Sequence, residues 1–377
     1  MKKKVLIIVT LAEVGGAQMS VLNLSRELSK RGFDITVGFG EGDFLSEECQ
    51  RYSIPTKRFS GLKRSFGILD NLRFIFEMRK YLKENRFDVL HVNSSNALLA
   101  SLSAFSLFKE RPRVVFTYRG LSFLEEKNEL SFLKRIIFKL IFRFLILFVD
   151  REVFVSKSNF ESAKRMGLGR KGVVIYNGLP LADISFYEKE KAREILGSLS
   201  GRDLSGKRII GSIGRLAYQK NYEFLIRNIK RIEDSDTVCL VIGEGPERSY
   251  LEGLIKEEGV EESFFLAGEY KGASKLLSGF DVFVLPSRYE GLSITTLEAL
   301  FSGVPMLLTS TGGNPEVING HSSFLFEVDD DEEFKEKLTS LLTEEGWYEE
   351  ALDLSRERSY LFGISQTANG YEGIYKN

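Results

Sequence analysis

The stretch Leu285-Pro-Ser-Arg-Tyr-Glu-Gly-Leu-Ser-Ile-Thr-Thr-Leu-Glu298 joins a short apolar run to a segment with helical periodicity. Residues 281–285 predict a buried strand, and Pro286 ends it because proline cannot continue the hydrogen-bond ladder. Gly291 supplies a flexible turn, and residues 293–302 then repeat apolar positions at helical spacing. The stretch therefore predicts a strand, a loop and a helix in direct succession.

The helix start in this stretch is a candidate anion site. The first N–H groups of a helix have no partner within it, so the backbone of Gly291, Leu292 and Ser293 is predicted to bind a phosphate. Glu290 directly precedes this turn, and Glu298 lies about a turn and a half inside the helix. A ligand that combines phosphates with hydroxyl groups, such as a nucleotide sugar, fits the arrangement. The alternative is an ordinary strand-loop-helix unit with two surface glutamates.

Length and composition bound the class of protein. The chain has 377 residues, of which 43% are hydrophobic, and this is enough to build the cores of two domains. Cys49 and Cys239 are too few and too isolated for a disulfide framework or a metal cluster, and two histidines are too few for a zinc site. We therefore expect a globular protein with no metal and no cofactor.

The amino terminus shows no signal-peptide pattern. Met1-Lys-Lys-Lys4 runs directly into a short apolar strand with a polar turn behind it. The pattern predicts a cytoplasmic location.

Charge divides the chain into two halves of opposite sign. Residues 1–177 hold 31 lysines and arginines against 18 acidic residues, a net charge of +13, whereas residues 178–377 have a net charge of −14. A basic half indicates an anionic partner. Nucleic acid is disfavoured because the sequence shows no recognition-helix or aromatic-basic RNA pattern, so a membrane surface or a lipid phosphate is the better hypothesis.

The whole chain alternates short apolar strands with amphipathic helices. Alternation of this kind predicts an α/β fold with two Rossmann-like, doubly wound parallel sheets whose strand ends face a common cleft. The predicted domains are residues 1–180 and 207–358, joined by a polar linker at 181–206. Strands are predicted at residues 4–9, 34–38, 89–92, 114–117, 152–155, 173–176, 208–213, 238–242, 264–266, 281–285 and 306–309.

Loops that follow the strands carry the candidate site, because open parallel sheets bind ligands beyond the carboxyl ends of their strands. Gly15 and Gly16 form a glycine-rich turn after the first strand, for which a plain tight turn is the alternative. The turn lacks the Gly-x-Gly-x-x-Gly spacing, which argues against an NAD-dependent oxidoreductase. In the second half, Arg215 follows a strand and Lys220 stands at a helix start. Two cations around one turn suit a diphosphate.

These residues together resemble the retaining glycosyltransferases of the family-four, or group 1, type, which have the GT-B fold. The resemblance rests on the spacing of Glu290 and Glu298, with seven residues between them, and on Gly214-Arg215-Leu followed by Lys220-Asn221. It extends over the whole chain and is strongest at residues 208–318. It implies that residues 359–377 form a last helix that crosses back to the first domain.

The resemblance also implies roles for individual residues. Arg215 and Lys220 would stabilise the departing diphosphate, Glu290 would orient sugar hydroxyls and Glu298 would hold ribose hydroxyls. Other positions that it places beside the donor are Gly15, Gly16, Gly243, Glu244, Gly245, Glu269 and Tyr270. A metal is not expected, since no convincing loop carries an Asp-x-Asp pair and cations stand in its place.

The acceptor side departs from the family pattern. Many relatives have a histidine after the fourth large strand of the first domain, where this chain has Tyr118-Arg119-Gly120. Arg119 at this place indicates a negatively charged acceptor. His91 is the other candidate histidine, with a purely structural role as the alternative. Asn177 matches a family position that borders the cleft.

The resemblance and the candidate residues together predict retaining transfer of a hexose-type sugar from a UDP-sugar or GDP-sugar to an acceptor. A nucleotide-sugar-binding partner subunit without transfer activity is the main alternative, against which Arg215, Lys220, Glu290 and Glu298 all argue. A transferase that acts on a soluble acceptor is the second alternative.

The segment at residues 130–149 predicts contact with a membrane. Four cations interrupt a run rich in Phe, Leu and Ile that contains no acidic residue, namely Lys134, Arg135, Lys139 and Arg143. The cations argue against a spanning helix. The segment also carries more aromatic rings than one sheet can cover, so we expect some of them to be exposed: Phe132, Phe138, Phe142, Phe144 and Phe148. Packing on the sheet is the alternative. We therefore expect peripheral binding at the inner face of the cell membrane and a lipid-linked saccharide or glycolipid acceptor in polysaccharide biosynthesis.

Overall fold

A computed structural model describes residues 2–64, 67–121, 132–232 and 236–376, without the side chains of residues 108 and 132–135. The chain divides into two compact units. Residues 1–180 and 362–377 form unit 1, and residues 181–361 form unit 2. Each unit contains one sheet with helices on its faces.

The sheet of unit 1 has seven strands, and every recorded pairing is parallel, in the order β3-β2-β1-β4-β5-β6-β7. The strands are β1 (Lys4–Leu11), β2 (Asp34–Glu41), β3 (Thr56–Arg58), β4 (Val89–Val92), β5 (Arg113–Tyr118), β6 (Arg151–Phe154) and β7 (Gly172–Val174). The central strands are continuous apolar runs because both of their faces are covered. The strand order reverses between β1 and β4, and their carboxyl ends mark a switch point where open sheets bind ligands.

Two layers of helices cover this sheet. The helices are α1 (Gly16–Lys30), α2 (Phe44–Arg51), α3 (Ile68–Asn85), α4 (Ala100–Phe105), α5 (Phe132–Ile146) and α6 (Lys157–Arg165), with the last helix of the chain, α14 (Ile364–Lys376). Helices α3 to α6 bury residues such as Phe74 and Phe142 on one face. Helices α1, α2 and α14 bury residues such as Leu24 and Tyr371 on the other.

The sheet of unit 2 has six parallel strands in the order β10-β9-β8-β11-β12-β13. The strands are β8 (Arg208–Ile213), β9 (Thr237–Ile242), β10 (Phe264–Gly268), β11 (Val282–Leu285), β12 (Met306–Thr309) and β13 (Leu325–Phe326). The order reverses between β8 and β11, so the switch point of this unit lies at the carboxyl ends of those two neighbours.

Unit 2 includes residues 181–206, for which the sequence predicted a linker. Arg193 in this segment bonds to Asp281 at 2.5 Å, and Leu196 is fully buried. The helices of the unit are α7 (Lys189–Ser200), α8 (Tyr222–Ile229), α9 (Arg248–Glu258), α10 (Ile294–Ser302), α11 (Asn314–Val317), α12 (Asp331–Thr343) and α13 (Trp347–Phe362). Single-turn 3₁₀ helices occur at Asn96–Leu99, Phe108–Glu110, Leu181–Asp183, Tyr218–Lys220 and Ser322–Phe324, and a longer one at Ala273–Gly279.

The last helix returns the chain to unit 1. The backbone of Leu179 exchanges hydrogen bonds with Phe362 and Ile364, at 2.9 and 2.8 Å. A Cβ on Gly370 would lie 3.0 Å from Ile175, so the glycine lets α14 pack closely despite its low helix propensity.

The predicted fold class is confirmed: two Rossmann-like parallel sheets, with the last helix packed on the first domain. All eleven predicted strands occur, with ends that differ by up to three residues. The described residues add two short edge strands, β3 and β13. Neither has an apolar run long enough to give a period-two signal.

Candidate functional site

The loops that follow β8 and β11 meet at the switch point of unit 2. The side-chain amide of Gln219 donates to the carbonyl of Tyr289 at 3.0 Å, and the backbone N–H of Arg288 donates to the carbonyl of Gln219 at 2.8 Å. The guanidinium of Arg288 also lies 4.2 Å from the ring centre of Tyr218. Two chain segments about seventy residues apart are thereby fixed against each other.

Lys220 and Glu290 form a buried ion pair between these loops. The Lys220 Nζ lies 2.6 Å from Glu290 Oε1, and the two side chains are only 14% and 6% exposed. Ser287 Oγ donates to the same carboxylate oxygen at 2.8 Å. An ammonium group has three N–H donors, and Glu290 takes one of them. The pair therefore presents cationic donors beside a fixed carboxylate, which suits a ligand that carries both phosphate and hydroxyl groups.

Glycines allow the loops to approach each other. Gly243 has a φ of 152°, and a Cβ there would collide with the carbonyl of Gly214. Gly312, at a φ of 53°, packs in the same way on the carbonyl of Glu290, and the N–H of Gly313 donates to Gly291 at 2.8 Å. The loops after β9 and β12 therefore pack directly against the two loops that hold the ion pair. Side chains in place of Gly243 or Gly312 would push these loops apart and displace the ion pair.

Helix α10 begins one residue later than its sequence predicts. Ser293 is its N-cap, and its Oγ accepts the N–H of Thr296. Gly291 and Leu292 lie in the loop before the cap, beside the ion pair. Glu298 lies on the second turn, where burial raises its pKa to about 7 against the opposing effect of a hydrogen bond with Ser274. A buried carboxyl group of this kind can form hydrogen bonds with the neutral hydroxyl groups of a ligand.

Five other predicted residues of unit 2 follow the carboxyl ends of β8, β9 and β10. Arg215 is exposed, and its side chain has no ion pair or hydrogen bond to the part of the chain that the structure describes. Glu244 is paired with Arg248 at 2.6 Å, and Gly245 packs on the backbone of Leu216. Glu269 is exposed, whereas Tyr270 is half-buried and hydrogen-bonded to Tyr187. Arg215 is thus a cation available to a ligand, while Glu244 already has a partner.

In unit 1 the structure places His91 in the core. It lies on β4, fully buried, with Nε2 at 2.7 Å from Thr117 Oγ1 and Nδ1 at 2.6 Å from the Tyr375 hydroxyl. Tyr371 completes the cluster through Thr117 at 2.8 Å. Burial, and then the charge of Arg119, lower the pKa of His91 well below its usual value. These contacts favour the structural interpretation, in which a neutral His91 anchors α14 to the sheet.

Arg119 lies after β5, near the switch point of unit 1. Its Nη1 donates to Ser20 Oγ and Asn177 Oδ1, and its Nη2 donates to Asn93 Oδ1, each at 2.6 Å. Burial lowers the pKa of Arg119. Gly15 is the N-cap of α1 and Gly16 its first residue, on the same helix as Ser20. Structure therefore brings Arg119 and Asn177 together, which their positions in the sequence did not reveal.

Sequence reasoning missed several polar partners. Ser287, Asn93 and Ser20 each hold a predicted residue, and Thr117 with the two C-terminal tyrosines holds His91. Ser287 and Asn93 stand within two residues of a strand end, which was the available signal. Within the described ranges, no group of three or more histidine, cysteine or acidic side chains could hold a metal ion.

The fold and the paired switch-point loops define the class of protein. HepE of Anabaena, solved in complex with UDP-glucose, matches with a TM-score of 0.83 at 18% identity, over 99% of this chain and all of that one. This likeness shows the fold, which is GT-B. Residues 14–183 match the model described as Glycosyltransferase Family 4, and residues 201–358 match Glycosyl transferases group 1. The chain therefore belongs to the group 1 glycosyltransferases.

Two relatives from Escherichia coli illustrate the setting of the family. The chain is 25% identical to UDP-Gal:alpha-D-GlcNAc-diphosphoundecaprenol alpha-1,3-galactosyltransferase, with 85% of this chain and 83% of that protein covered. It is 28% identical to the O-antigen biosynthesis glycosyltransferase WbnH, with 99% of both chains covered. The relatives thus include a galactosyltransferase that acts on a diphosphoundecaprenol-linked sugar and a glycosyltransferase of O-antigen biosynthesis.

Proposed function

We propose that this glycosyltransferase moves a hexose from a nucleoside-diphosphate sugar to an acceptor with retention of the anomeric configuration. The observation that carries the proposal is the buried Lys220–Glu290 pair at the switch point of unit 2. It places a cation for the diphosphate beside a carboxylate for the sugar hydroxyls.

The chemistry follows from this placement. The bond between the anomeric carbon and the diphosphate oxygen breaks, and its electron pair leaves with the diphosphate. Lys220 and Arg215 stabilise the charge that grows on the leaving group, and a cation held in place before the reaction needs no reorganisation. The acceptor oxygen bonds to the same face of the sugar, and its proton passes to the leaving phosphate.

The two glutamates have separate tasks in this proposal. Glu290 is fixed by Lys220 and Ser287, so its carboxylate can orient sugar hydroxyls without swinging away. Glu298 accepts hydrogen bonds from the ribose hydroxyls. In this proposal the backbone of Gly291 and Leu292 and the loop of Gly243 and Gly245 contact the phosphates of the donor. Tyr270 lies beside its base. UDP is the favoured nucleotide, with GDP as the alternative, because the galactosyltransferase relative is named for a UDP-sugar.

Calorimetric titration with UDP tests the donor site and its independence of metal. Lys220 and Arg215 supply the positive charge that Mg²⁺ supplies elsewhere, so we expect the Kd of UDP to agree within about twofold in EDTA and in Mg²⁺. GDP and ADP are the matched comparison ligands. Binding that appears only when Mg²⁺ is present, or no binding of any nucleotide, would contradict the proposal.

The surface of unit 1 supports peripheral attachment to a membrane. Helix α4 packs against both α3 and α5, through Ser103 to the carbonyl of Ile75 and Ser101 to that of Leu145. These three helices and the residue that follows α5 expose large apolar side chains, with Leu69 at 83% and Leu147 at 70%. The set comprises Ile68, Leu69, Leu72 and Phe76 on α3, Phe105 on α4, and Ile136, Ile137, Leu140, Ile141 and Phe144 on α5, followed by Leu147. Such a group on neighbouring helices exceeds the scattered apolar residues of an ordinary surface.

The predicted aromatic rings contribute less to this surface than aliphatic side chains do. Phe144 is exposed, but Phe142 is buried in the core, and the ring of Phe148 packs edge-on against Phe144 and at a tilt against Phe105. Phe132 lies outside the described side chains. Among the described residues, no helix is sufficiently long and apolar to traverse a bilayer.

Cations continue the apolar stripe of α3. Leu69, Leu72 and Phe76 are followed at helical spacing by Arg79 and Lys83, both exposed and without an ion pair to any described residue. Other basic residues of this region form ion pairs: Lys63 pairs with Asp70, and Arg73, Lys80 and Arg58 pair with acidic neighbours. Apolar side chains beside unpaired cations suit an anionic lipid surface. We therefore propose a lipid-linked saccharide or glycolipid acceptor at the inner face of the membrane.

Liposome flotation tests this attachment. We expect the protein to float with vesicles that contain anionic phosphatidylglycerol, and to be released by salt because exposed charges are screened. Arg79→Glu with Lys83→Glu should abolish flotation, since each cation near such a surface contributes roughly 1 kcal/mol. Lys230→Glu with Lys256→Glu, on exposed positions of unit 2, is the matched control and should float normally. A wild-type protein that ignores anionic vesicles at low salt would leave a soluble acceptor as the better hypothesis.

A further inference from the structure

In the part of the chain that the structure describes, Arg119 is a cation held by neutral oxygens. Its three hydrogen bonds go to the hydroxyl of Ser20 and the side-chain amides of Asn93 and Asn177. None of its described contacts is a carboxylate, although most buried or half-buried arginines are paired with one. Among the described residues, the acidic groups whose charge influences Arg119 are Tyr371 and Tyr375, and both are buried and protonated at neutral pH. A desolvated guanidinium without a counter-charge costs free energy that an anion would recover.

The hydrogen-bonding capacity of Arg119 is not exhausted. A guanidinium group has five N–H donors, and the structure describes three bonds. The Nε is buried without a partner, and Nη2 uses one of its two N–H groups. These two nitrogens lie on the edge of the guanidinium that forms forked bonds with carboxylates and phosphates.

The surroundings hold this cation in one place. Asn93 follows β4, Asn177 follows β7, Ser20 is on α1, and Ser20 Oγ also donates to Asn177 Oδ1 at 3.0 Å. Three chain segments near the switch point of unit 1 therefore fix the guanidinium, and a preorganised donor binds an anion without losing side-chain entropy. The residue keeps some accessible surface. If Arg119 only held these loops together, a neutral amide or hydroxyl group would suffice, and no positive charge would be needed.

We propose that Arg119, cradled by Ser20, Asn93 and Asn177, is an anion-binding site that takes a phosphate or carboxylate group of a substrate. This inference rests on the proposed function, since it assigns part of the substrate of the same reaction. The anion belongs either to an acidic acceptor, such as a phosphorylated or carboxylated saccharide, or to the diphosphate of the donor. Both sources present the same chemistry to the guanidinium.

Phosphate-dependent stabilisation tests the site. The melting temperature is measured against inorganic phosphate at constant ionic strength for the wild type, Lys220→Ala and Lys220→Ala with Arg119→Gln. We expect saturable stabilisation in the first two and its loss in the third, because the Lys220 change removes the donor site as a second locus. Arg165→Gln, an exposed arginine of unit 1, is the matched control and should retain the stabilisation. Equal phosphate stabilisation with and without Arg119 would overturn the proposal.

A second measurement separates the sources and guards against misfolding. If Arg119→Gln weakens UDP binding at least about tenfold, the anion is the diphosphate of the donor; unchanged UDP affinity together with lost phosphate stabilisation assigns it to the acceptor. UDP binding by the wild type reports on the proposed function independently. Should Arg119→Gln fail to fold, Arg119→Lys replaces it, with reduced phosphate stabilisation expected because lysine lacks the fork. Full stabilisation in that variant would overturn a forked anion contact.

Discussion

Lys220→Ala is expected to lose at least about 100-fold in kcat/KM for the donor, because each hydrogen bond to a charged group contributes roughly 1.5–3 kcal/mol. The ammonium is proposed to contact the diphosphate, and it also holds Glu290 at 2.6 Å. Its removal therefore takes away one contact with the leaving group and frees the carboxylate that orients the sugar. An unpaired buried Glu290 should also lower the free energy of unfolding by about 3 kcal/mol.

The measurement is steady-state kinetics under conditions where circular dichroism shows the variant folded. Lys230→Ala is the matched control, since Lys230 is 61% exposed and its described ion pair, with Glu258, is long at 3.8 Å. It should retain wild-type kinetics. Normal donor kinetics in a folded Lys220→Ala protein would remove the assignment of the ion pair to the donor site.

Glu298→Gln is expected to weaken donor binding and stabilise the fold at the same time. Loss of a charged acceptor for ribose hydroxyls should raise the donor KM by about tenfold or more. Burial raises the pKa of Glu298 from 4.5 to about 7. The folded protein therefore binds this proton more tightly than the unfolded chain, and the resulting stabilisation is complete below pH 4.5 and lost as the pH rises to about 7. Glutamine avoids that loss, so at pH 8 the variant should be more stable by about 1–3 kcal/mol.

Urea unfolding at two pH values checks the sign of this effect. The advantage of Glu298→Gln should be present at pH 8 and absent well below pH 4.5, where the carboxyl group is protonated in both states. Glu257→Gln, at an exposed position of α9, is the matched control and should change neither property. A Glu298→Gln protein that is less stable at pH 8 would show that the carboxylate is stabilised by contacts other than those described.

The alternation of strands and helices predicted the fold because parallel strands covered on both faces are continuous apolar runs, as at residues 5–9 of β1 and 238–242 of β9. The edge strands β3 and β13 were not predicted, because they lack such an apolar run. Thr56, Lys57 and Arg58 of β3 are all exposed, and only their pairing with β2 makes them a strand. Residues 181–206 looked like a linker because they are polar, yet buried Ala192 and Leu196 dock α7 on unit 2. Strand pairing and helix packing depend on residues far apart in the chain, so local composition does not predict them.

The candidate site shows the same limit. Lys220 and Glu290 were each predicted from local motifs, but their ion pair depends on the adjacency of β8 and β11, which the order of elements leaves open. His91 has no local sign that α14, nearly three hundred residues later, covers it. The apolar side chains of α3 were missed because charged residues lie between them, whereas those of α5 form an almost continuous run.

Donor hydrolysis tests the central claim most directly, because a glycosyltransferase that binds its donor transfers the sugar slowly to water without any acceptor. Purified protein is incubated separately with UDP-, GDP- and ADP-sugars, and the free nucleoside diphosphate is quantified by mass spectrometry beside Lys220→Ala. The account predicts release of UDP or GDP from one class of donor, in EDTA as well as in Mg²⁺, and none in the variant. Binding of a nucleotide sugar without release of diphosphate under any condition would contradict it and indicate a non-catalytic binding subunit.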